Sequence, residues 1–64
     1  MRLDRLSVYF ITIEWHAAQY KITYYDFVGN ILSVATLSIV TQQTYDAMRK
    51  EFPYLVSIED KTRQ

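Results

Sequence analysis

Cysteine is absent from this chain, so neither a disulfide nor a thiolate metal site can staple it. A single histidine, His16, cannot build a metal site alone, and no cofactor is expected. An excess of one charge is missing too, since seven basic and seven acidic residues give a formal net charge of zero. Nucleic-acid binders usually carry a clear positive surplus, and acidic DNA mimics the opposite, so both classes are disfavoured. Long apolar runs are also lacking. The least polar window, Phe27 to Val40, spans about 14 residues against about 20 for a membrane helix, and Asn30, Ser33, Thr36 and Ser38 interrupt it. Residues 1–5 lead into a strand pattern rather than a plain apolar stretch, so no secretory leader is expected and the cytoplasm is the expected compartment.

What is present is a dense, apolar composition. Half of the 64 residues are hydrophobic and 16% are aromatic, with six tyrosines, which is far too apolar for a disordered chain. Residues 1–64 make one small domain, with 1–5 and 60–64 expected to be mobile. A chain of this length buries only about 60% of the surface that its unfolded form exposes. Small domains compensate with disulfides, a metal or association, and here association is the remedy left.

Residues 6–15 are rich in β-branched and aromatic side chains and predict a first strand. Its alternate faces are Leu6, Val8, Phe10, Thr12, Glu14 and Ser7, Tyr9, Ile11, Ile13, Trp15; neither is polar. Residues 16–19 predict a connection with no glycine, proline or asparagine to name its turn. A second strand is expected over 20–28. Gly29-Asn30 between two β-rich runs is a hairpin signal, because both residues tolerate positive φ. Residues 31–40 predict a third strand; a helix competes there, but β-branching and the preceding turn favour the strand.

Residues 41–52 predict a helix. Thr41 is the expected N-cap, Val40 and Tyr45 have the spacing of a hydrophobic staple, and Asp46 and Lys50 that of an i, i+4 ion pair. Pro53 ends the element. Its buried stripe is Tyr45, Met48 and Phe52, too narrow to cover more than one sheet face. Residues 54–59 predict a short fourth strand, either parallel to the third within one sheet or paired with another subunit. The expected class is therefore α+β, a three-stranded antiparallel meander followed by one helix and a short fourth strand (β-β-β-α-β), with the helix on one sheet face. The expected core is Val8, Phe10, Ile22, Val34, Leu37, Ile39, Tyr45, Met48, Phe52 and Val56.

Function follows less directly. One short helix facing two apolar sheet faces implies an uncovered face that packs on a second copy, on a partner protein, or on both. The alternative is a sheet that curls on itself into a small half-barrel. Tyr9, Trp15, Tyr20, Tyr24 and Tyr25 crowd the first hairpin and are the interface candidates, since such amphipathic aromatics are frequent hot spots. The same aromatics could stack single-stranded nucleic acid, but only Lys21, Arg2 and Arg5 are near enough to neutralise phosphates. Glu14 and Asp26 are close enough in a hairpin to be weighed as a carboxylate pair for acid/base work, yet no nucleophile or glycine-rich loop accompanies them. The expectation is a non-enzymatic interaction module that forms a homodimer or higher oligomer and binds another protein.

Overall fold

The computed structural model describes residues 3–61. A single 3-10 turn at Arg5–Ser7 precedes β1 (Phe10–His16), β2 (Gln19–Tyr25), β3 (Ile31–Leu37), α1 (Gln42–Glu51) and β4 (Ser57–Asp60). The order is β-β-β-α-β and the class is α+β, as the sequence predicts. All four strands form one sheet in the order β3-β2-β1-β4. The two hairpins reverse the chain twice, so β1 and β3 run the same way. Helix α1 then carries the chain from the β3 edge to the opposite edge, where β4 lies parallel to β1 in the register Phe10↔Ser57 to Ile13↔Asp60. Backbone bonds from Val56 N–H to the Tyr9 carbonyl and from Lys61 N–H to the Ile13 carbonyl, each 2.7 Å, extend that ladder at both ends.

Local hydrogen bonding explains why the strands are shorter than their β-rich runs. Asp4 accepts from the Leu6 amide (3.0 Å) and the Ser7 hydroxyl (2.9 Å), which holds residues 5–7 in a 3-10 turn instead of a strand. Strand β2 stops at Tyr25 because the Asp26 carboxylate collects the amides of Val28 (3.1 Å) and Asn30 (2.8 Å). Phe27 and Val28, expected in the strand, therefore sit at the tip of this turn, which Gly29 closes at φ 96°. Before β4, the Leu55 amide donates to the Phe52 carbonyl (3.1 Å), so Pro53 and Tyr54 form a turn and the strand begins at Ser57. Of the stretches expected to be mobile, Leu3 packs against the core, Asp4 caps the 3-10 turn and Asp60 closes β4; residues 1–2 and 62–64 lie outside the described residues.

The β1–β2 connection is tighter than expected. His16 pairs with Gln19, leaving Ala17 and Ala18 as a two-residue turn with φ of 54° and 65°. Positive φ at both positions is the type I′ arrangement, whose twist matches the flanking strands and which normally recruits asparagine and glycine.

Pairing fixes the faces. Ile11 lies opposite Tyr24, Ile13 opposite Ile22, and Ile22 opposite Ala35, so these residues share one face with Ile58 of β4. Helix α1 covers that face with Met48 and Phe52, and with Val8 they enclose the core. Val8, Ile22, Met48 and Phe52 are buried as expected, and Tyr45 packs partly against them. The rest of the expected core is corrected, by one register step at Phe10 and Val34 and by exposure elsewhere. In β1 the buried residues are Ile11 and Ile13 rather than Phe10; in β3 Ala35 faces inward rather than Val34; in β4 it is Ile58, while Val56 precedes the strand. Val34, Ile39 and Val56 are half exposed or more, and Leu37 sits at the sheet margin.

At the start of α1 the Thr44 hydroxyl accepts from the Thr41 amide (3.1 Å), so the cap is closed from within the first turn. Val40 and Tyr45 both lie against the core, consistent with a staple. Asp46 meets Arg49 at 3.9 Å and accepts from Gln42 (3.2 Å) rather than pairing with Lys50.

Candidate interaction surface

The face that α1 leaves open is mixed, not apolar. Its rows are Phe10 opposite Tyr25, Thr12 opposite Thr23, Glu14 opposite Lys21, and His16 opposite Gln19. Thr23 and Lys21 in turn face Val34 and Thr36 of β3. The expectation of two largely apolar faces is therefore corrected: the odd residues of β2 make a mixed face, buried at Thr23 and half-buried at Lys21 and Tyr25, with Lys21 set across from Glu14. Glu14 and Asp26 do not meet either. Glu14 lies opposite Lys21, while Asp26 stands in the turn at the far end of β2, where its carboxylate is engaged by Val28 and Asn30.

The five candidate aromatics separate into four environments. Trp15 and Tyr20, cross-strand partners on the helix side, meet edge-to-face at 4.9 Å beside the Ala17-Ala18 turn, with Trp15 54% exposed. Tyr24 lies under α1 against Phe52 at 5.5 Å, and burial first, then the Glu51 carboxylate, pushes its hydroxyl above the usual tyrosine range. Tyr25 stands on the open face. Tyr9 is at the other end of the sheet, between Phe27 (5.7 Å) and Tyr54 (6.0 Å, stacked). There Leu6, Ser7, Tyr9, Asp26, Phe27 and Leu32 border a concavity of about 290 Å³. The structure joins Trp15 to Tyr20 but brings neither to Tyr9.

Sequence reasoning missed Phe27 and Tyr54 as partners of Tyr9, and it missed the character of β3. This strand is one edge of the sheet, and from Ile31 to Val40 the chain has no charge, proline or glycine. Ile31, Leu32, Val34 and Leu37 are all exposed, as are Phe27 and Val28 in the adjoining turn. The signal was visible as the least polar window of the chain. The opposite edge differs. Strand β4 has four residues, two of them Glu59 and Asp60, and Lys61 follows.

Tyr45 donates to the Asp60 carboxylate at 2.7 Å, tying α1 to β4; that hydrogen bond, then burial, raises its pKa. Among the described residues no group of three or more His, Cys, Asp or Glu could hold a metal, and no helix is long and apolar enough to cross a membrane. Comparison of the chain with protein families, curated proteins and solved structures returns no match.

Proposed function

We propose that this chain is a non-enzymatic protein-interaction module, an adaptor, inhibitor or regulatory subunit of the cytoplasm, that self-associates through its sheet and binds another protein. The observation that carries the reading is the placement of exposed apolar side chains. Six of the eleven exposed large apolar side chains among the described residues, Phe27, Val28, Ile31, Leu32, Val34 and Leu37, lie along β3 and its adjoining turn, and Ile39 follows them; Leu6, Trp15, Tyr54 and Val56 lie elsewhere. Contiguous exposed apolar surface on a small domain marks an interaction site. The nucleic-acid alternative has less support, because Tyr20 and Tyr24 lie on the helix side and Lys21 of the open face stands across from Glu14.

Absolute solution mass over a wide dilution series tests this reading. A mass of two or more chains at the higher concentrations is expected. A single-chain mass throughout, without binding of an apolar dye, overturns it.

A further inference from the structure

We infer that two copies of this chain pair edge to edge, β3 against β3 in antiparallel sense, about a two-fold axis through Val34 and perpendicular to the sheet. The inference rests on the self-association proposed above and specifies its surface. Antiparallel pairing to β2 leaves every second residue of β3 with its N–H and C=O directed outward. No described residue makes a backbone bond to that outer side. Natural sheets blunt such edges with charge, proline, short strands or bulges. Strand β4 has two of these devices, and β3 has only a bulge at its start, opposite Tyr24 and Tyr25, which leaves Ser33–Leu37 regular.

A second copy fits this edge better than a foreign strand for three reasons. First, self-pairing of an uncharged strand sets no like charges against each other. Second, the cross-strand row Thr12–Thr23–Val34 is 4% exposed at Thr23 and 50% exposed at Val34, so it ends on a half-wet valine. Centring the axis there sets Val34 against the same valine of the second copy and Ser33 against Ala35, within the regular part of the strand, and the row continues across the interface. Third, the product is closed. Two four-stranded sheets merge into one, and among the described residues its outer edges are the two short acidic β4 strands, which do not template further addition.

The absence of native cysteine makes the test clean. On-axis partners in an antiparallel pair have Cα atoms roughly 4.5–5.5 Å apart, within disulfide range. Val34→Cys is expected to form a covalent dimer on mild oxidation, and Ser57→Cys on the β4 edge is expected to stay single-chain. Val34→Lys, which opposes two ammonium groups at the axis, is expected to convert the dimer to a folded monomer by sedimentation, with far-ultraviolet dichroism confirming the fold. If that variant unfolds, the cysteine pair still decides. A wild-type dimer in which Val34→Cys does not cross-link overturns the edge inference and leaves self-association standing. Masses that grow without limit overturn the closed two-fold arrangement. A wild-type monomer at every concentration overturns both readings.

Discussion

Two neighbouring residues of β2 summarise the two sides of the sheet. Ile22 is fully buried beneath α1, whereas Lys21, one position earlier, stands on the open side across from Glu14. The strand supplies Tyr20, Ile22 and Tyr24 to a hydrophobic core and Lys21, Tyr25 and a buried Thr23 to the mixed opposite face. The difference teaches that the self-association proposed above does not require an apolar face. The open face is already balanced by threonine and by opposed charges, and the unbalanced surface lies at the β3 edge.

The sharpest break of this comparison is a pair of truncations. Ile22→Ala is expected to cost about 2–5 kcal/mol, because the cavity cannot collapse between sheet and helix. For a domain this small that approaches the whole stability. Lys21→Ala is expected to stay within about 0.5 kcal/mol. Urea unfolding of the two variants checks the contrast, and equal losses would mean that the open face is also core.

Next in size are the adjacent tyrosines. On the sequence alone, replacing Tyr24 and Tyr25 together by serine is expected to weaken association and leave the fold intact. The structure separates the two. Tyr24→Ser removes the ring that meets Phe52 and is expected to cost about 3 kcal/mol, as loss of a largely buried aromatic does. Tyr25→Ser is expected to cost about 1 kcal/mol or less, since its ring lies on the solvent side opposite Phe10. Thermal unfolding of the single variants distinguishes them.

A smaller effect is expected at alkaline pH. Tyr24 and Tyr45 both have pKa values raised above 10, so the folded chain holds protons there that the unfolded chain has released. Their contribution is complete below pH 10 and is lost as pH rises through the folded values. Tyr45→Phe removes the hydrogen bond to Asp60, is expected to cost about 1 kcal/mol or less at neutral pH, and flattens the alkaline decline. An unchanged pH profile in that variant would show that the Asp60 contact does not persist in solution.

The element order, the helix with its proline stop and the glycine turn were legible because each rests on local chemistry: β-branching, a cap, a fixed φ. Face assignment was not, because β1 alternates between two apolar sets and the choice of Ile11 and Ile13 over Phe10 is made by pairing partners far along the chain. The candidate aromatics were grouped by proximity in sequence, which ignores that Tyr24 and Tyr25 point to opposite sides. The β3 edge was hidden for a further reason. Whether an uncharged strand is central or marginal depends on where β4 docks, and β4 joins β1 instead of β3.

The last expected effect, a small gain, bears on how the two sides of the sheet are set. Which residues face α1 is decided by the register of the β1–β2 hairpin, and that register is held by two alanines in left-handed backbone. An L-residue with a Cβ pays roughly 1–2 kcal/mol in this region, less for asparagine and nothing for glycine. The turn therefore does not specify the hairpin; the burial of Ile11, Ile13 and Ile22 forces the alanines into it. Ala17→Asn combined with Ala18→Gly supplies the residues that type I′ geometry prefers and is expected to stabilise the chain by about 1 kcal/mol with the core unchanged. The increase is read from the urea midpoint. A loss of stability would mean that the strands do not pair His16 with Gln19, and the division into a helix side and an open side would then have to shift by one residue along β2.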